Sequence, residues 1–168
     1  MANRAGFASR LGAYIIDAIL MYTIQFILLT AFDVPMTPPE GAGLDWVLNA
    51  TPMHVNLLIN LLVLGYILIE GLTGASPGKR LLGLVIGTTQ GQRGDTGLLL
   101  TRIAIKYSAF IPGFLAIFLA EARPLLMAVS AIMGLIVLAG CTLALGSRRQ
   151  ALHDLIAKSA VYRAKDLR

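Results

Sequence analysis

The stretch 125–145, LLMAVSAIMGLIVLAGCTLAL, contains no charged residue, and its length decides the class of fold. As a helix rising about 1.5 Å per residue, these 21 residues extend about 31 Å, which matches the roughly 30 Å hydrocarbon layer of a bilayer. Gly134, Ala139, Gly140 and Ala144 supply small side chains of the kind that let membrane helices approach closely. We therefore predict a transmembrane helix over 125–145.

Three other apolar runs precede this one, at 11–32, 55–72 and 103–120. The 168-residue chain is 57% hydrophobic and 14% charged, with a mean hydropathy of +0.75, and a soluble domain of this size cannot bury so much apolar surface. The runs predict an all-α integral membrane protein: a single domain over 1–168 that forms a four-transmembrane-helix bundle. A re-entrant hairpin in place of the last two spans is the alternative.

The Lys and Arg residues fall almost entirely on one side of the predicted spans. Of the 14, only Arg123 lies on the other side, and the loop 33–54 contains acidic residues but no Lys or Arg. Because cytoplasmic loops carry the excess of Lys and Arg, both termini are predicted to be cytoplasmic. The net charge of +5 then predicts contact with anionic headgroups of the lipid bilayer rather than with nucleic acid. The 13 residues on the predicted cytoplasmic side are Arg4, Arg10, Lys79, Arg80, Arg93, Arg102, Lys106, Arg148, Arg149, Lys158, Arg163, Lys165 and Arg168.

Two segments outside the spans carry their own patterns. Residues 81–86, LLGLVI, are apolar and partly β-branched, which predicts either a short strand or a segment lying on the bilayer. Near the C-terminus, Leu152, Leu155, Ile156 and Ser159 recur at the spacing of one helix face. This spacing predicts an amphipathic helix over 147–160 on the cytoplasmic face.

Asp17 lies inside the first apolar run, where a carboxylate costs up to about 2.5–3.5 kcal/mol at mid-membrane. Arg10 is two helical turns earlier on nearly the same face, roughly 10 Å away along the axis, so it reaches Asp17 only if its side chain bends inward. Asp17 is therefore either an ion or proton site or a structural group hydrogen-bonded to another helix. Glu70, near the end of the second run, is expected to pair with Lys79 or Arg80.

The chain offers no recognisable set of nucleophile and base. Cys141 is the single cysteine, so the sequence predicts neither a disulfide nor a Cys/His metal site. His153 and Asp154 are adjacent, and adjacent residues of a helix point in different directions. We expect no enzymatic activity, no cofactor and no metal.

Three segments, in order along the chain, are similar to the RDD family of small bacterial membrane proteins, which is named for one arginine and two aspartates. They are FASRLGAYIID at 7–17, GASPGKRLLGLVI at 74–86 and RQALHDLIAKSAV at 149–161. Ser76 and Ser159 stand where the family often has threonine, which keeps the hydroxyl group. The resemblance covers nearly the whole chain, and it implies a multi-pass protein of the bacterial inner (cell) membrane.

The resemblance assigns the named trio to Arg10, Asp17 and Asp154. We hypothesise that the C-terminal helix docks under the bundle so that Asp17 and Asp154 share Arg10. Such a site would be net negative and would take a proton or sodium, or it would only pin the C-terminal helix to the first span. The supporting residues are expected to be Glu70, Lys79 and His153.

The family resemblance implies function only loosely, through sodium/proton exchange or roles beside other membrane proteins. Four helices are too few to enclose a transport pathway in a single chain. The first hypothesis is therefore a transport-related protein that exchanges a small cation as an oligomer. The alternative is a non-catalytic accessory or assembly subunit of a larger membrane protein complex. Both hypotheses predict a homo-oligomer or a larger membrane complex.

Overall fold

The computed structural model describes residues 3–43, 46 and 49–167, and the described chain is mostly helical with one small sheet. Arg168, one of the 13 cations assigned above to the cytoplasmic side, lies outside the described residues. The described elements, in chain order, are α1 (Phe7–Ala31), α2 (Met53–Thr73), α3 (Pro77–Leu81), β1 (Leu84–Thr88), α4 (Thr96–Lys106), α5 (Phe110–Leu115), α6 (Arg123–Cys141), a 3-10 turn (Thr142–Leu145), α7 (Leu152–Ile156), β2 (Ser159–Arg163) and a final 3-10 turn (Ala164–Asp166).

Within the part of the chain that the structure describes, three helices are long and apolar enough to cross a membrane. They are α1, α2, and α6 together with the 3-10 turn that extends it to Leu145, and they match the predicted spans 11–32, 55–72 and 125–145. Gly74 ends α2 in the left-handed conformation, with φ at 71°, which a residue without a Cβ adopts at little cost.

The predicted third span, 103–120, differs from the structure because two short helices replace a single one. The first, α4, begins at Thr96, where the Asp95 carboxylate accepts a hydrogen bond from the Leu98 amide at 2.7 Å. The second, α5, covers only Phe110–Leu115. Pro112 explains the interruption, because it has no N–H for the Ser108 carbonyl and its ring clashes with that carbonyl in a continuous helix.

The predicted C-terminal helix over 147–160 is wrong for most of its length. Helix α7 covers only Leu152–Ile156, and Lys158 then adopts the left-handed conformation, with φ at 52°, which ends helical growth. Ser159–Arg163 forms β2, which pairs antiparallel with β1. Because of this sheet, the fold is mostly helical and not all-α as predicted. Of the two alternatives for 81–86, the short strand is confirmed, since β1 begins at Leu84.

One end of the long helices carries a compact structure that we call the cap: residues 3–6, α3, β1, α7 and β2. The amide of Ala5 donates to the Val161 carbonyl at 2.8 Å, so the residues before α1 run along the free edge of β2. Apolar side chains from the cap, α1 and α4 form the buried cluster Ala5, Ala13, Leu84, Ile86, Leu99 and Val161. Both ends of the described chain therefore lie on the same side of the spanning helices.

Candidate functional site

Asp154 lies on α7, is fully buried, and joins three parts of the chain. Its Oδ2 accepts from Arg10 Nη1 of α1 at 2.5 Å, and its Oδ1 accepts from Arg102 Nε of α4 at 2.7 Å. Oδ2 also accepts from the Ala151 amide at 3.2 Å, so the same carboxylate caps its own short helix. One carboxylate thus fastens the cap to two helices.

Glu70, near the end of α2, is the second buried carboxylate of this region. Its Oε1 accepts from Lys79 Nζ at 2.5 Å and from Arg102 Nη1 at 2.6 Å. Its Oε2 accepts from Lys106 Nζ and from the Tyr107 hydroxyl, both at 2.7 Å. The Glu70–Lys79 pair is one of the two pairings that the sequence predicted, whereas Arg80 is exposed.

Arg102 connects the two carboxylates, and it is only 2% exposed. Its Nη2 also lies 3.1 Å from His153 Nε2. Because a guanidinium only donates, His153 Nε2 must accept, and the imidazole proton is assigned to Nδ1. The sequence analysis counted Arg102 only among the 13 cations of the predicted cytoplasmic side, and it missed this central position.

Seven side chains form this network, which we call the charge cluster: Arg10, Glu70, Lys79, Arg102, Lys106, His153 and Asp154. Four cationic side chains in it face two carboxylates. The cluster therefore carries a surplus of positive charge, and the expectation of a net negative site around Arg10 is wrong. Each of the four carboxylate oxygens already accepts two hydrogen bonds or more.

Asp17 lies outside the charge cluster. Its Oδ2 accepts from Ser76 Oγ at 2.5 Å and its Oδ1 accepts from the Gly78 amide at 2.7 Å, so it fastens α1 to the beginning of α3. The contact is close, because a Cβ on Gly78 would lie 2.3 Å from the Ala13 carbonyl oxygen. Arg10 donates instead to Asp154 and to two backbone carbonyls, so the predicted sharing of Arg10 by both aspartates is not formed.

The surroundings of α7 set the charges of its two titratable residues. Burial alone would raise the pKa of Asp154, but Arg102 and Arg10 outweigh it and hold that pKa well below its usual range. Burial and then the charge of Arg102 lower the pKa of His153 to about 3. Asp154 is therefore ionised and His153 neutral at physiological pH. Among the described residues, no group of three or more His, Cys, Asp or Glu side chains is placed to hold a metal ion.

Long apolar helices, fastened by buried ion pairs to a small cap, define a membrane protein with several helices able to span the bilayer. The chain belongs to the RDD family, whose model matches residues 4–158. That match includes Arg10, Asp17 and Asp154. No curated protein and no solved structure matches the chain.

Proposed function

We propose that this chain is a non-catalytic accessory or assembly subunit of a larger membrane complex, in which the charge cluster fastens the cap to the spanning helices. The observation that carries the proposal is the small share of buried residues in the spanning helices of a single chain. Buried residues make up only 11%, 22% and 6% of the most apolar windows of α1, α2 and α6, respectively. A single copy therefore has little buried interior along its membrane helices with which to line a pathway.

The buried residues of the spanning helices favour the end near the cap. They are Ala13 and Asp17 of α1, Ile67, Glu70 and Gly71 of α2, and Gly140 of α6, and the exception is Val55 at the other end of α2. Large side chains along the whole of α6 and its 3-10 extension, such as Leu125, Leu135 and Leu145, are more than 60% exposed in the single chain. Since the small residues of α6 permit close helix packing, a second copy or another membrane protein is the partner that we infer for this helix.

The proposed topology has four crossings with both termini in the cytoplasm. The segment 103–120 would be the third crossing, in two pieces formed by the end of α4 and by α5. Gly71 of α2 lies against Ile103 of α4, and Ser130 of α6 donates to the Ala109 carbonyl at 2.7 Å. Through these contacts, the segment would pack first against α2 and then against α6. The orientation rests on the excess of Lys and Arg on the side of the spanning helices that carries the cap, which would face the cytoplasm and the anionic headgroups of the inner membrane of a bacterium.

The test is native mass spectrometry of the full chain, extracted from its own membranes in mild detergent. The proposal predicts a complex of fixed stoichiometry, containing a second copy or another membrane protein. Ala139→Leu, which adds bulk to an exposed small-residue position on α6, should weaken the complex, while the neighbouring Leu138→Ile should leave it intact. Single chains with bound lipid, under every mild condition, would exclude an assembly role.

A second candidate function, cation/proton exchange by an oligomer, is favoured by one observation. Asp17 is only 5% exposed within a spanning helix, and no described residue forms an ion pair with it. Its described partners are only a hydroxyl and a backbone amide, so it is the one buried carboxylate of the described residues that has no cation beside it. In proteoliposomes, exchange predicts cation-dependent proton movement that disappears in folded Asp17→Asn. The exposed Asp33→Asn is the matched control, and flux that is equal in both variants excludes Asp17 as the ion site.

A further inference from the structure

A groove of about 650 Å³ opens on the surface of the cap, between the residues before α1, the turn after β1 and the turn after α6. Its lining includes Arg4, Thr89, Gln90, Ser147, Arg148 and Arg149. Three of its described lining residues are arginines, and none is Asp or Glu. The groove therefore gathers positive charge with no carboxylate in its wall to neutralise it.

Arg4 is fixed in the wall of this groove by the protein itself. Its Nη1 donates to the Arg148 carbonyl and to Gln150 Oε1, both at 2.9 Å, and its Nη2 donates to the Thr89 carbonyl at 3.2 Å. A guanidinium has five N–H groups, and no described residue accepts from the other two, which are therefore available to a ligand. Because the side chain is already ordered, a ligand would meet it at little further entropic cost.

The turn that carries the other two arginines is anchored as well. Arg149 adopts the left-handed conformation, with φ at 50°, and its Nη1 donates to the Arg4 carbonyl at 3.0 Å. The Arg149 carbonyl accepts from Arg10 Nη2 at 2.6 Å, which connects the turn to the charge cluster. Arg148 is exposed, and no described residue pairs with its side chain. The groove thus combines two held arginines with one that is free to close on a ligand.

We propose that this groove binds a phosphoryl group. Guanidinium groups bind phosphate oxygens through paired, charge-assisted hydrogen bonds, and the lining residues Thr89 and Ser147 carry hydroxyls that can serve as neutral donors. The phosphoryl group belongs either to an anionic phospholipid headgroup or to a soluble phosphate compound. This discrete site is distinct from the diffuse attraction of a basic cap to an anionic membrane, and it does not depend on the assembly or exchange role.

The experiment places the full chain in nanodiscs and has two arms. In the first, native mass spectrometry counts the phosphatidylglycerol molecules that the chain retains from mixed nanodiscs. In the second, inorganic phosphate is titrated calorimetrically into the chain in phosphatidylcholine nanodiscs. Retention of about one phosphatidylglycerol without a phosphate response identifies a headgroup site, and saturable phosphate binding identifies a soluble ligand.

Variants of the groove separate a built site from general charge attraction. Arg148→Gln, which removes no contact within the protein, should weaken binding about tenfold, because it deletes one charge-assisted contact. Ser147→Asp, which places a carboxylate at the rim, should weaken it at least as much. Arg163→Gln removes the same charge from an exposed position outside the groove and should change binding less than about twofold. Equal losses in Arg148→Gln and Arg163→Gln, or no binding in either arm, would overturn the proposal.

Discussion

Ser76 donates its hydroxyl to the Asp17 carboxylate across 2.5 Å, and this contact joins the cap to the first spanning helix. The same hydroxyl accepts from the Lys79 amide at 3.4 Å, so it also begins α3. Lys79 in turn reaches Glu70 of α2. Asp17 therefore belongs to a structural junction between α1, α3 and α2, separate from the arginine with which the sequence had grouped it.

Removal of the Ser76 hydroxyl should destabilise this junction. Ser76→Ala leaves a buried oxygen of Asp17 without its donor, which costs about 1–3 kcal/mol. The measurement is the midpoint of thermal unfolding in mild detergent. Ser147→Ala removes an exposed hydroxyl and should leave the midpoint unchanged. An unchanged midpoint in Ser76→Ala would show that the hydroxyl does not hold the junction.

The close approach of α3 to α1 predicts that Gly78 tolerates no side chain. A Cβ there would lie 2.3 Å from the Ala13 carbonyl oxygen and 2.9 Å from Asp17 Cγ, so Gly78→Ala must separate the two helices. The expected loss of stability is about 1–3 kcal/mol. Gly65→Ala is the matched control, because a Cβ at that position meets nothing within 4 Å. Equal thermal midpoints for the two variants would contradict this packing.

Of the two carboxylates in the charge cluster, Glu70 is the one whose substitution should reduce the stability of the protein most. Glu70→Gln leaves Lys79, Arg102 and Lys106 without their shared anion in a buried position, and breaking such an arrangement costs about 3–5 kcal/mol. The exposed Glu121→Gln should be nearly neutral. Hydrogen exchange should rise in α3 and α4 of the Glu70 variant only. Exchange in these helices at the wild-type rate would mean that Glu70 does not hold them.

The lowered pKa of His153 predicts that the folded protein becomes less stable as the pH falls. Its pKa falls from 6.5 to about 3 on folding, so below pH 6.5 the unfolded chain takes up a proton that the folded chain refuses. Stability should therefore fall as pH is lowered from about 6.5 to about 5, by at most about 1.4 kcal/mol per pH unit. His153→Gln keeps an acceptor for Arg102 but does not titrate, so its profile should be flatter in this window. A wild-type slope in His153→Gln would assign the effect to another group.

The length and composition of the apolar runs were enough to predict the three long helices, because a span is defined by local sequence. Strand β2 was missed because Leu152, Leu155 and Ile156 fit a helix face, whereas the fate of the next residues depends on pairing with β1. Ser159 faces Thr88, a residue far away along the chain. No local pattern contains that information, although β-branched and aromatic residues at 161–162 favour a strand.

The candidate site was predictable only in part. The resemblance brought Arg10 and Asp154 to attention, and the structure brings them into contact. Arg102 was missed because its burial follows from the packing of α4 against α2, a tertiary contact. One signal was available: Arg102 and Lys106 are one helical turn apart on a single face, where both can meet the same carboxylate.

The central claim is that the charge cluster fastens the cap to the spanning helices, and a double-mutant cycle between Arg10 and Asp154 tests it most directly. The free energy of unfolding in mild detergent is measured for the wild type, Arg10→Gln, Asp154→Asn and the double variant. The cycle isolates the interaction across the 2.5 Å contact from the other bonds of each residue. We predict a coupling energy of at least about 1 kcal/mol, because both groups are largely buried. A coupling energy indistinguishable from zero would contradict the claim.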